Sequence, residues 1–136
     1  MQWNAGPNAG FSSGAPWLPV AADAERVNVE VESRDRNSLL SFYRALLALR
    51  RSEAALSVGA YTALEVGPSV LSFERSHAGR CFTSVLNFSA EAQQVSLSGP
   101  CRRSLVLSTD PQRALGSVAS ELVLGPNEGV VLGSAT

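Results

Sequence analysis

The sequence predicts a mainly β protein: an antiparallel β-sandwich of Greek-key type over residues 57–136, preceded by a long irregular stretch and one amphipathic helix. Three observations carry this. From Ala60 onward, apolar and polar residues alternate in short segments separated by turn residues, the period-two pattern of half-buried strands. No segment between them repeats at helical spacing, which argues against parallel βαβ units. Ahead of them, Leu39, Phe42, Leu46 and Leu49 recur at the spacing of one helix face, as an amphipathic helix requires.

Taken in order, residues 1–35 read as irregular, punctuated by Gly6-Pro7-Asn8, Gly10, Gly14 and Pro16. Val27, Val29 and Val31 alternate with polar residues over Arg26–Glu32 and read as a short strand or extended segment. The helix follows over 37–53. Asn37 or Ser38 supplies the acceptor for its first free N–H groups. Leu40, Tyr43 and Leu47 widen its apolar face, and Arg50 and Arg51 favour the negative end of its dipole. So broad a face needs a large partner, and nothing earlier in the chain supplies one. The expected strands are 60–66, 69–75, 80–88, 93–98, 103–108, 120–125 and 129–133. Turn signals separate them at Gly67-Pro68, His77-Ala78-Gly79, Ser89-Ala90-Glu91, Gly99-Pro100 and Gly125-Pro126-Asn127.

Composition excludes several classes. The 136 residues carry a net charge of −1, which argues against general affinity for nucleic acid or anionic lipid. All 11 basic residues are arginines, and they are scattered. No apolar run approaches the roughly 20 residues that span a bilayer. No basic segment followed by an apolar core opens the chain. Two cysteines, Cys81 and Cys101, fit no metal or redox spacing and read as reduced structural thiols.

Chemistry-bearing residues are sparse. His77, the sole histidine, sits in a hairpin turn and reads as solvated. The glycines of "NAGPNAG" follow no strand and lack a lysine, so they make no phosphate loop. No metal-ligand cluster and no cofactor are expected. Glu65, Glu74, Glu91, Asp110, Glu121 and Glu128 lie on polar strand positions or in loops and read as solvated charge. A glycosidase needs two carboxyl groups facing each other across a bond, and these positions do not provide that. Asn87-Phe88-Ser89 fits the glycosylation pattern but reads as a turn at a strand end.

The opening is more specific. Met1-Gln2-Trp3-Asn4, Asn8-Ala9-Gly10-Phe11-Ser12, Gly14-Ala15-Pro16-Trp17-Leu18-Pro19-Val20 and Val27-Asn28-Val29 resemble, in order and spacing, a run found in the alpha-amylase superfamily, glycoside hydrolase family 13. The nearest branch is that of α-glucosidases, oligo-1,6-glucosidases and trehalose synthases. "SLLSFYRALLALRRSEAALSVGAY" resembles the last barrel helix and its exit, and "LSTD" and "LGPNEGVVL" the closing strands of the C-terminal domain.

The resemblance implies that residues 1–56 are the last loop and helix of a (β/α)8 catalytic barrel, with 57–136 as the accessory sandwich. It implies further that Met1 is internal to a longer chain. The parent is then a retaining glycosidase acting on α-linked gluco-oligosaccharides, with its catalytic carboxylates upstream, so this chain carries no catalytic residue. Its partners are the rest of the barrel and, through the parent, an α-glucoside. A bacterial-type cytoplasmic location is expected, with neither nucleic acid nor membrane as partner. Gln2 and Trp3 are the candidates for lining a sugar subsite. Trp17 reads as an anchor that buries apolar area, as Trp3 can also be. The first third is expected to be poorly stable without the barrel.

Asn4 departs from the branch, which has Asp there; Asn keeps the acceptor and loses the charge. Two other classes compete. One is the ectodomain of an amino-acid transporter heavy chain, which shares this family's fold. The other is a carbohydrate-binding sandwich, which would need Tyr61, Phe73, Phe82 and Phe88 exposed; their strand positions fit a core as well.

Overall fold

The computed structural model describes residues 1–64, 67–97 and 103–134. Glu65, Cys101 and the Gly99-Pro100 turn lie outside the described residues. Among the described residues, strands in antiparallel sheets outnumber helical residues, and helices are confined to the first part. Two compact units divide it, Met1–Leu46 and Leu47–Thr136.

In the first unit a 3₁₀ turn, Pro7–Gly10, is followed by a short helix α1, Val29–Arg34. The strand or extended segment expected over 26–32 is therefore corrected: from Val29 on it is a helix. Asn28 decides it: its Oδ1 accepts from the Val31 N–H at 3.0 Å, capping the first turn. Glu30 and Glu32 add negative charge at that positive end, and Arg34 pairs with Glu30 one turn away at 2.5 Å. Three alternating valines are too weak a signal to outbid a cap.

Helix α2, Leu39–Ser52, follows as expected. Ser38 is the cap, its hydroxyl accepting from the Ser41 N–H at 3.1 Å. No residue of α2 is buried, and Leu39, Tyr43 and Leu47 expose one continuous stripe. Ala9 is the single buried apolar residue described in 1–46.

In the second unit a break at Glu53 leads to α3, Ala54–Val58, and then, among the described residues, to eight strands. These are β1 Ala60–Leu64, β2 Val70–His77, β3 Arg80–Asn87, β4 Gln93–Ser96, β5 Arg103–Ser108, β6 Gly116–Val118, β7 Glu121–Leu124 and β8 Gly129–Ser134. The three-residue β6 is too short to show a period, and the sequence did not announce it. Six strands form one sheet, ordered β1-β2-β3-β8-β5-β6; β4 and β7 form another. His77 is exposed at the β2–β3 hairpin, where Ala78 and Gly79 both take positive φ, 47° and 80°, as a two-residue turn between twisted strands requires.

One core joins the two sheets: Val85, Leu105, Val130 and Leu132 from the larger, Val95, Leu122 and Leu124 from the smaller. Each such side chain contributes about 1.5–3 kcal/mol through burial. Two expected surface carboxylates face inward. Glu74 is only 25% exposed and lies 3.8 Å from the buried Arg103, whose Nε donates to Thr83 Oγ1 at 3.3 Å. Glu128 is 5% exposed. Arg113 Nε donates to its Oε1, and Arg113 Nη2 to its Oε2 at 2.6 Å. The Gly125 N–H adds 2.7 Å and the Ser108 hydroxyl 2.8 Å. Burial pushes the Glu128 carboxyl up, but these donors, Arg113 foremost, outweigh it and hold it below the usual carboxylate range.

Asn87 is 3% exposed, and its amide donates to Glu91 O at 2.8 Å and Gly125 O at 2.7 Å. The glycosylation pattern there is a buried corner clamp. Of the four β-region aromatics, Phe82 is 2% exposed, whereas Tyr61 and Phe88 are 59% and 70% exposed and do not belong to the core. Cys81 is half-buried in β3.

Candidate functional site

The candidate site is the loop that opens the first unit, and its backbone closes on itself. Trp3 and Asn4 both donate to Ala9 O, at 2.8 and 3.3 Å, and Ala9 donates to Gly6 O at 3.0 Å. Reaching this geometry takes three successive left-handed residues, Asn8, Ala9 and Gly10, with φ of 54°, 52° and 70°. Alanine rarely adopts that conformation. Such outliers persist only where surrounding bonds over-determine them.

Asparagine side chains do the over-determining. Asn4 Oδ1 accepts from the Gly6 N–H at 2.9 Å. Asn8 Nδ2 donates to Ser12 O and Gly14 O, at 3.1 and 2.9 Å. Asn4 thus keeps the acceptor role that an aspartate would fill there. A Cβ at Gly10 would stand 2.6 Å from the Asn4 amide. Gly10→Ala therefore combines a left-handed strain with a side-chain clash, at a cost of roughly 1–2 kcal/mol. Hydrogen exchange reads it as lost protection at the Trp3 and Ala9 amides, while the β3 amides stay unchanged.

Gln2 and Trp3 are held from the other side by α1. The Val29 N–H donates to Gln2 O at 3.1 Å and the Glu30 N–H to Trp3 O at 3.0 Å. The half-buried Gln2 side chain reaches Asp23 Oδ1 at 3.4 Å. Trp3 is 49% exposed and Trp17 91% exposed, so Trp17 buries almost none of its surface within this unit. Gln2 borders two shallow grooves. One, of about 290 Å³, runs between Gln2, Phe11, Trp17 and Leu18. The other, of about 390 Å³, runs between Gln2, Val27, Leu39 and Tyr43. The first has no carboxylate in its lining and the second has Glu32 alone. Glu32 Oε2 already accepts from the Leu40 N–H at 3.2 Å. Neither groove assembles the carboxylate pair that glycoside hydrolysis needs. What the loop offers is aromatic faces, an amide and a rigid backbone, which suit binding and positioning.

Comparison with known proteins decides the family. The family model described as "Alpha amylase, catalytic domain" matches residues 1–59. The chain is 38% identical over 112 residues to the probable oligo-1,6-glucosidase 2 of Bacillus subtilis, covering 79% of this chain and 20% of that protein. The chain belongs to the alpha-amylase family.

The α-glucosidase branch is supported by further relatives of this alpha-amylase family chain. Glucan 1,6-alpha-glucosidase of Streptococcus pneumoniae is 31% identical over 126 residues, 93% of this chain and 23% of that protein. The crystal structure of trehalulose synthase MutB from Pseudomonas mesoacidophila superposes with a TM-score of 0.84 at 30% identity, covering 98% of this chain and 24% of that one. The chain thus spans about a fifth to a quarter of the length of the relatives it matches. Sequence reasoning picked out Gln2 and Trp3 but missed Asp23, Asn28 and Ala9, which place them. Asn28 was visible as a capping residue ahead of Glu30 and Glu32, whereas nothing in the sequence marks Ala9 as left-handed.

Proposed function

We propose that this chain is the C-terminal part of a retaining α-glucosidase-type glycoside hydrolase acting on α-linked gluco-oligosaccharides. The observation that carries it is the opening loop. The motifs of Met1–Val20 and Val27–Val29 fold into one hydrogen-bonded unit around Gln2 and Trp3, inside the stretch matched by the catalytic-domain model. In this reading residues 1–56 complete a (β/α)8 barrel, whose active site lies among the loops at the carboxyl ends of its strands. Residues 57–136 are a Greek-key β-sandwich accessory domain. The parent uses two carboxylates, one forming a glycosyl–enzyme bond and the other serving as acid and then base. Both belong to the part of the parent outside this chain. Gln2 and Trp3 line a sugar subsite, Trp17 anchors the loop on the barrel, and the parent is cytoplasmic.

The test replaces the corresponding C-terminal segment of the Bacillus subtilis oligo-1,6-glucosidase relative with this chain. The joined protein is expected to release p-nitrophenol from p-nitrophenyl α-glucoside, whereas the chain alone gives none above a mock-purified control. Turnover by the chain alone, or a folded but inert joined protein, overturns the proposal.

A further inference from the structure

Asn28 stands where the two supports of Gln2 meet. It is 4% exposed, and both ends of its amide are engaged. Its Oδ1 accepts from the Val31 N–H at 3.0 Å. Its Nδ2 donates the other way, to Ala24 O at 2.8 Å and Glu25 O at 3.3 Å. The two ends cannot exchange roles, because an N–H needs an oxygen and a carbonyl needs a donor. One buried amide therefore ties the first turn of α1 to the turn at 22–26 that precedes it.

Each of the two tied parts holds Gln2. The first two N–H groups of α1, which no helical carbonyl can satisfy, go to Gln2 O and Trp3 O at 3.1 and 3.0 Å. The preceding turn carries Asp23. Its carbonyl accepts from the Arg26 and Val27 N–H groups at 2.9 and 2.8 Å, and its carboxylate accepts from Gln2 Nε2 at 3.4 Å. The Gln2 backbone is thus set from one side of Asn28 and the Gln2 side chain from the other. A carboxylate takes only the nitrogen end of an amide, so Oε1 is the end that a ligand meets.

We infer that Asn28 is a positioning residue for sugar binding. By tying the Asp23 turn to α1 it aims the Gln2 amide, with Nε2 on Asp23 and Oε1 accepting from a hydroxyl of the bound α-glucoside. This role rests on the α-glucosidase reading above and gives the Gln2 contact its hydrogen-bond sense.

Asn28→Asp separates the two sides. It keeps the acceptor that caps α1, but it turns an oxygen toward Ala24 O and Glu25 O and so releases the Asp23 turn. In the joined protein its KM for isomaltose is expected to rise about three- to tenfold, the scale of one lost hydrogen bond. The kcat is expected to move less than about twofold, as for a contact made equally in the ground and transition states. Asp23→Ala, at an exposed position, is expected to raise KM in the same way without touching the cap. Gln2→Met raises it alike. In the Gln2→Met background neither other change raises KM further, which a merely structural role would not produce. In the chain alone, Asn28→Asp is expected to quicken hydrogen exchange at Arg26 and Val27 while Val31 keeps its protection.

An active joined protein whose KM is indifferent to Asn28→Asp or to Asp23→Ala overturns the inference. So does one in which either change still raises KM after Gln2→Met, and so does loss of Val31 protection along with that of Arg26. All of these leave the enzymatic reading standing. A joined protein that is folded but inert defeats the enzymatic reading itself, and the role of Asn28 falls with it.

Discussion

Glu128→Ala is expected to cost the β-domain about 1–3 kcal/mol, the range for leaving buried donors without their acceptor. The change would leave the Arg113 guanidinium, the Gly125 N–H and the Ser108 hydroxyl without their acceptor. It would also free Arg113, whose Nη2 holds Val123 O of β7 at 2.7 Å. Urea unfolding followed by exchange of the β8 amides measures the loss. A cost below about 1 kcal/mol, the size of an exposed pair, would refute the network's importance.

The same carboxyl carries a pH signature. Its pKa is lowered in the folded state, so its contribution is fully present above the unfolded carboxylate value of about 4.3. That contribution is lost as pH falls through the lower, folded value. Glu128→Gln keeps the shape and abolishes this portion of the acid dependence, so its stability falls less steeply than that of the wild type below that pH. Equal slopes would show that Glu128 contributes nothing there.

Gly59→Ala is the second large effect. A Cβ there would stand 2.3 Å from Ala55 O and 2.7 Å from Ser76 O. Both are backbone atoms of packed elements and cannot swing aside. Overpacking of this kind costs about 1–3 kcal/mol, occasionally more, and it lifts α3 off the sheet. The expected result is a lower melting temperature with lost protection in α3 and at Ser76. Val58→Ala, at a 71% exposed neighbour, stays within about 0.5 kcal/mol of the wild type. Indistinguishable behaviour of the two variants would sink the argument.

Much of the secondary structure was legible because its signals are local. Ser38 before Leu39, Phe42 and Leu46 marks a helix start, and the alternation in Val70–His77 and Arg80–Asn87 marks strands. The misreadings share a cause. Over Arg26–Glu32, alternation and capping competed, and periodicity over so few residues lost to one Asn28 hydrogen bond. The candidate site was half legible. Gln2 and Trp3 stood out by motif, but the bonds that place them come from Ala9, Asp23, Val29 and Glu30, and motif spacing does not record such closures.

The sequence by itself determined the long helix α2 and all but one short strand among the described residues, because each depends on neighbours within a few residues; it did not show the short helices α1 and α3. The tertiary structure alone decided which side of each strand faces the core. Period-two alternation divides a strand into two faces without saying which is inner. Glu128 was therefore read as solvated charge until folding brought Arg113, 15 residues away, against it. Tyr61 fitted a core as well until the β1–β2 register turned it outward beside Phe73.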